Sequence, residues 1–340
     1  MRRFERAELR WWLETKRVKL RFSIFILTSW LWAGVLDKES LQSEFARSTA
    51  GFDGRAGICA QDQSGVVCAN GDQRFSIQSV MKMLVGMAVM DAVDHGRMRL
   101  DERVIVHKKD LSLYMQPIAE LVTDKGYSTT VGDLVRRGIV DSDSAAADIL
   151  VEKVGGPKAV QGFLDRKSVT GVRFDRDEKH LQTEISGLEW RPEFVNPTLL
   201  DAAIAAVPEA QKDAAYRKYQ TDVRDTATAK GMAALLFFLV EGRLLSPASS
   251  AHLLQVMTET ATGLDRLKAG VSGGWVLAHK TGTSGAWKGV AAATNDVGVL
   301  TAPDGGKVSI VVFIGDSSEP ADKRAALKAS AARSVIAHYR

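Results

Sequence analysis

The pattern that most narrows the possible folds is a change of hydrophobic period between the ends of the chain and its middle. Towards the C-terminus, GGWVLAHK, VAAATNDVGVLTA and KVSIVVFIG read as three strands, the last two joined by a PDGG turn. On the N-terminal side, AGICAQDQSGVVCAN reads as two short strands around a QDQSG turn. Between these ends the period becomes helical. TTVGDLVRRGIV (129–140) starts with a Thr cap and carries Val131, Leu134, Val135 and Ile139. SDSAAADILVEKVGG (142–156) ends at a glycine pair, and PKAVQGFLDRK (157–167) opens with proline at a first-turn position. Residues 197–220 are helical material broken at Pro208, and 227–242 form an apolar helix ending near Gly242. A short amphipathic helix over 38–48, with Leu41 and Phe45 four apart, and a closing helix over about 320–338 complete the set. Strands at both ends with helices between imply an α/β chain of the α+β type, an antiparallel sheet built from both termini beside a mostly helical part.

Composition removes several function classes. At 340 residues, 45% hydrophobic and 25% charged, the chain is neither mainly disordered, fibrous nor a multi-span membrane protein. The length admits two domains or one large discontinuous unit. The net charge of +4 resides in the N-terminal tail: residues 1–21 hold eight Arg/Lys and three Glu, which leaves −1 for the remainder. Nucleic acid binding needs a basic surface on the folded part, so no nucleic acid partner is expected. Directly after the basic tail, residues 22–36 (FSIFILTSWLWAGVL) carry no charge. This is the pattern of an export signal, cleaved or kept as an N-terminal anchor, and it predicts export with membrane contact only through that segment.

Cys59 and Cys68 face each other across the predicted hairpin, either as a disulfide in an oxidising compartment or as two small buried hydrophobes. Two cysteines and six scattered histidines show no ligand spacing, so no metal is expected.

The chemistry is carried by SVMKMLVGMAVMDAVDHG (79–96), a helix too apolar to lie on a surface. Ser79 and Lys82, three apart at its start, share a face. A helix N-terminus supplies backbone N–H groups that favour an oxyanion. Serine needs an adjacent base, and a lysine in an apolar pocket can be neutral enough to serve. A Ser-x-x-Lys spacing alone is common. Here it is followed in order by Ser142-Asp143-Ser144 in a turn between helices and by Lys280-Thr281-Gly282 at a strand end.

Together with FSIQSVMK, DLSLYMQP, TTVGDLV, RFDRDEKHLQ, VRDT and TNDVGVL, these pieces resemble the class A serine β-lactamases of the penicillin-recognising serine enzymes, from about residue 37 to the C-terminus. The resemblance implies the β-lactamase/transpeptidase-like fold, without metal or organic cofactor. It makes Ser79 the acylated nucleophile, Lys82 its partner in proton transfer, and Ser142 the proton donor to the lactam nitrogen. Glu178 becomes the base that activates the deacylating water, with Gln182 helping to hold that water. Lys280, Thr281 and Thr283 form the wall for the substrate carboxylate, Ser144 holds the side-chain amide, and Tyr114 is an aromatic rim. The backbone N–H groups of Ser79 and Thr283 form the oxyanion hole, and Arg176 with Asp225 closes the omega loop. His279 reads as a packed strand residue.

The implied reaction is hydrolysis of penicillin- and cephalosporin-type β-lactams by a periplasmic monomer. The alternative is a D-alanyl-D-alanine peptidase-like penicillin binder or a slow, non-deacylating one, and Glu178 separates the two, because such proteins lack this base. Three departures from the family pattern stand out. Ser144 replaces Asn, and Gln182 replaces Asn. Glu178 and Asp225 are also separated by an insertion over about 184–223, whose use as a cover of the mouth, a cap or a partner surface stays open. The segment after KTG carries no arginine, which makes Lys288 the candidate second cation for the carboxylate. The expected organisation is a signal or anchor over 1–36 and a catalytic unit over 37–340. Its sheet part spans about 37–75 and 262–340, and its helical part about 76–261.

Overall fold

A computed structural model describes residues 34–340. The basic tail and most of the apolar stretch read as an export signal lie outside the described residues. Among the described residues no helix is long and apolar enough to cross a membrane.

One five-stranded sheet organises the molecule. Its strands are β1 (Arg55–Asp62), β2 (Gly65–Ala69), β3 (Val276–Thr283), β4 (Thr294–Thr301) and β5 (Lys307–Gly315). They pair antiparallel in the order β2-β1-β5-β4-β3, so the C-terminal strand is central and the N-terminal hairpin packs beside it. From Ile310 to Ile314 β5 is continuously apolar because both its faces are covered. Ile310, Val312 and Ile314 point to one core and Val311 and Phe313 to another, as the two-residue strand period requires.

The first of these cores lies under α1 (Lys38–Thr49), whose Leu41 and Phe45 are fully buried, and the C-terminal helix Ala321–Ala337. The second is shared with the helical half, built around α2 (Met81–Asp94). Residues Met81 to Ala92 of α2 are all buried, Lys82 among them. The nucleophile candidate Ser79 stands just outside it, in a 3₁₀ turn over Gln78–Val80. The chain enters that turn with Gln78 at φ +48°, which delays the α-helix by two residues relative to the sequence reading.

β1 and β2 place Cys59 opposite Cys68, and the two are disulfide-bonded. Four helices after α2 matter for the site: α3 (Ser144–Val154), α4 (Glu178–Ile185) and the pair that follows it, α5 (Pro197–Ala206) and α6 (Glu209–Thr221). Val207 and Pro208 separate α5 from α6, where the missing proline N–H and its ring stop a helix. The insertion is therefore a helical hairpin. It packs Phe194 and Leu200 against Leu113 on one side and sends Tyr216 and Tyr219 into the large core on the other. Among the large apolar residues of 184–223, only Leu199 and Val223 are exposed, which leaves no broad apolar face.

Candidate active site

Four segments far apart in the chain converge on Ser79. The first is the turn before α3. Asp143 caps that helix, its Oδ1 accepting from the Ala146 N–H (2.9 Å) and its Oδ2 from the Ile118 N–H (2.7 Å). Ser142, at φ +59°, turns its carbonyl onto Lys82, whose Nζ donates to it at 2.6 Å. The same Nζ reaches Ser144 Oγ at 3.1 Å and Ser79 Oγ at 3.1 Å. Residues in such left-handed backbone cluster where structure is held for function.

The second segment is α4, which starts with Glu178. Ser79 Oγ donates to Glu178 Oε1 at 3.1 Å, and Lys82 Nζ lies 3.0 Å from the same oxygen. Burial by itself pushes the Glu178 carboxyl up. The Lys82 ammonium and hydrogen bonds from Gln182, Lys82 and Ser79 outweigh burial and hold it below the ordinary glutamate value. The Gln182 amide Nε2 donates to Glu178 Oε2 at 3.0 Å and to Gln78 Oε1 at 3.0 Å.

The start of α4 is tied down from α3. Asp148 accepts from the Glu178 N–H (2.8 Å), the Lys179 N–H (3.2 Å) and Ser112 Oγ (2.6 Å). Complete burial, then the nearby charge of Asp177, push this carboxyl up to about 7. Arg176 closes the loop at its other end through Asp225 (Nε to Oδ2, 2.7 Å). The Asp225 carbonyl in turn accepts from the Ile77 N–H at 3.0 Å, so the end of the omega loop is joined to the turn that carries Ser79.

The third segment is β3. Lys280 is fully buried and donates to Ser142 Oγ at 2.9 Å. Burial, then the Lys82 charge, pull its pKa well below the ordinary lysine value. Thr281 shares a 2.6 Å hydrogen bond with Thr262, and Thr283 stands exposed at the strand end. Gly282 explains how β3 comes so close: a Cβ there would lie 2.5 Å from the Ile77 carbonyl oxygen and 3.2 Å from the Ser79 nitrogen. The fourth segment is the rim. Tyr114, 57% exposed and at φ +59°, is followed by Met115, whose carbonyl accepts from the Ser144 N–H at 2.7 Å.

With this geometry in view, the comparisons with known proteins are direct. A family model described as the β-lactamase enzyme family matches residues 39–339. The solved class A β-lactamase of the last common ancestor of Gram-negative bacteria is 32% identical, with a TM-score of 0.70 over 88% of this chain and 98% of that one. The chain belongs to the class A serine β-lactamases. Among curated relatives of this enzyme family, the β-lactamase VEB-1 of Pseudomonas aeruginosa is 30% identical over 254 residues, 74% of each chain. The extended-spectrum β-lactamase PER-1 of the same organism is 31% identical over 266 residues, 77% of this chain and 75% of its own. A class A β-lactamase is an enzyme that opens β-lactam rings through a serine.

Within this β-lactamase, Ser79, Lys82, Ser142, Ser144, Glu178, Gln182 and Lys280 form one continuous hydrogen-bonded set. Lys288 does not join it. Its ammonium, at a hairpin tip with φ +49°, is paired with Glu209 (2.8 Å) and Asp213 (2.9 Å), both on inserted helix α6. The cation beside the strand end is instead Arg266, which donates to Thr283 Oγ1 at 2.8 Å and to the Asn295 carbonyl at 3.0 Å. Arg266 comes from a loop with no motif of its own, and no local spacing could have found it. Asp148 did leave a signal: an aspartate inside the apolar run SAAADILV, four residues from Ser144 and hence on its helical face. His279 is a packed residue, paired with Asp296 at 2.8 Å.

Substitution distinguishes Arg266 from Lys288 as the second cation. Arg266→Ala should raise KM for a penicillin by about ten-fold, the loss of roughly one charge-assisted hydrogen bond. Lys288→Ala should leave KM within about two-fold. Initial-rate kinetics on the two variants decide, and the reverse order would return the role to Lys288.

Proposed function

We propose that this enzyme hydrolyses the β-lactam ring of penicillin- and cephalosporin-type antibiotics by acylating Ser79 and releasing the product with a water activated by Glu178. The observation that carries this reading is the triangle of half-buried Ser79 Oγ with buried Lys82 Nζ and Glu178 Oε1, with edges of 3.1, 3.1 and 3.0 Å.

In the first half-reaction the Ser79 proton passes to Glu178, whose carboxylate already accepts it in a hydrogen bond, while the Lys82 charge keeps both oxygens in place. Ser79 Oγ bonds to the lactam carbonyl carbon. The developing oxyanion is taken by the backbone N–H groups of Ser79 and Thr283. The ring C–N bond then breaks, and the nitrogen receives a proton from Ser142, whose hydroxyl is oriented by Lys280. The proton held on Glu178 passes through Lys82, 3.0 Å away, to restore the Ser142 hydroxyl, which leaves Glu178 a carboxylate again. In the second half-reaction Glu178 takes a proton from water, the resulting hydroxide attacks the acyl carbon, and Ser79 recovers its proton as it leaves. Lys280, Thr281, Thr283 and Arg266 receive the substrate carboxylate, Ser144 and Gln182 orient side-chain amide and water, and Tyr114 lines the rim.

The basic-then-apolar N-terminal segment supports export to the periplasm, and the Cys59–Cys68 disulfide suits an oxidising compartment. All the groups named come from one chain, which supports action as a monomer.

Time-resolved intact mass of the enzyme with a penicillin, read alongside lactam absorbance, tests the proposal. An adduct that forms and clears while absorbance falls catalytically is expected. A stoichiometric adduct that persists would replace hydrolysis with penicillin binding.

A further inference from the structure

We infer that the insertion has become part of the deacylation apparatus, with Tyr219 as a positioning residue that holds the base Glu178 through Gln78 and Gln182. The inference rests on the assignment of Glu178 as base. Tyr219 lies on α6, within the inserted segment, yet its phenol is buried at the nucleophile turn. The hydroxyl accepts from Gln78 Nε2 and shares a 2.7 Å hydrogen bond with Ser76 Oγ. Gln78 is the residue before Ser79. Its Oε1 accepts from Gln182 Nε2, and that same Nε2 donates to Glu178 Oε2. The chain Tyr219–Gln78–Gln182–Glu178 is continuous: Gln78 is engaged through both its oxygen and its nitrogen, and Gln182 donates twice from its Nε2.

Its polarity is set by the carboxylate. Glu178 as an anion only accepts, so Gln182 must present its N–H group, and the N–H group leaves Gln182 facing the Gln78 carbonyl oxygen. Gln78 is then left with its own N–H group pointing at Tyr219. The phenol oxygen is the acceptor that completes the run. Without it, a buried donor has no partner, and relief by turning the Gln78 amide would set two N–H groups against each other next to the base. Gln78 also sits at φ +48°, where the backbone gives it little room to adjust.

The rest of α6 fixes where that phenol can be. Tyr216 Oη donates to the Val290 carbonyl at 2.7 Å, and Trp287 Nε1 donates to Asp213 at 2.6 Å. Gln220 donates to Asp316 at 2.9 Å, and Lys288 is paired with Asp213 and Glu209. These contacts dock one helix on the hairpin beyond β3 and on the end of β5. A loop lengthened by a helical hairpin would otherwise leave the base free to wander, and an error of about an ångström at a reacting group costs about 100-fold.

Single-turnover mixing of the full chain with benzylpenicillin, quenched and read by intact mass, separates acylation from deacylation. Tyr219→Phe should acylate within about three-fold of the wild-type rate and deacylate about 10- to 100-fold more slowly, so that adduct accumulates. Gln78→Met, which keeps the tyrosine and its packing, should show the same split, and it serves alone if Tyr219→Phe does not fold. Adding Tyr219→Phe to Gln78→Met should slow deacylation by less than about two-fold more, because the link is already cut. Unchanged deacylation, equal losses in both steps, or slowdowns that multiply in the double variant would each overturn the inference. Glu178→Gln run alongside keeps the two ideas apart. If it traps the adduct while Tyr219→Phe clears normally, only the tyrosine's role fails. If it turns over normally, the base assignment fails first.

Discussion

Mixed with a penicillin, the Ser79→Ala variant should keep its unmodified mass, and the lactam absorbance should stay level over the time in which the wild-type enzyme exhausts its substrate. The expected loss in kcat is about 10⁴- to 10⁶-fold, the scale seen when a serine nucleophile is removed from a set that acts as a unit. The side chain lost is small, and the fold should persist. Lys82 still has the Ser142 carbonyl, Ser144 Oγ and the Glu178 carboxylate, so no buried charge is stranded. Near-wild-type thermal unfolding together with abolished adduct is therefore the full expectation. Turnover retained by this variant would sink the serine mechanism.

Glu178→Gln should act on the other half-reaction. The amide cannot take a proton from water, so deacylation should fall by about 10²- to 10⁴-fold, the usual contribution of a general base. A penicillin adduct should then build up to one per enzyme. This variant should also be less stable. Lys82 is buried, and removing one partner of a buried ion pair leaves the other without its counter-charge, at a cost of about 3 kcal/mol. The three remaining oxygen acceptors of Lys82, on Ser79, Ser142 and Ser144, keep that loss below unfolding. Steady-state hydrolysis at the wild-type rate would mean that another group serves as base.

How much of this site was legible in the chain can be judged residue by residue. Ser79 and Lys82, Ser142 and Ser144, and Lys280 to Thr283 each lie within four residues of a partner on one turn or strand end, and such groups are displayed by local backbone geometry. Glu178 was legible because the stretch around it repeats a family pattern. Where Ser79 sits was less so: the period of 79–96 predicts a helix from its first residue, whereas the left-handed Gln78 holds Ser79 in a 3₁₀ turn. A place after KTG makes Lys288 the sequence candidate for the second cation. Its carboxylate partners Glu209 and Asp213 are some 75 residues away in the chain, and their proximity depends on how the insertion packs.

The sequence by itself determined the alternation of strand, helix and strand, the apolar helix behind the nucleophile, the order of the motifs and the class of reaction. The alternation and the apolar helix are set by side-chain periodicity and short spacings, where the backbone alone decides which groups share a face. The class of reaction follows from the resemblance of the ordered motifs to the class A β-lactamases. The tertiary structure decided that Arg266 stands beside Thr283 and that Lys288 is spent on inserted helix α6. It also decided that Tyr219 ends a hydrogen-bond chain beginning at Glu178. Those pairings join segments whose separation in the chain carries no geometric information, and only the packing of buried apolar faces brings them within the 3 Å at which a hydrogen bond forms.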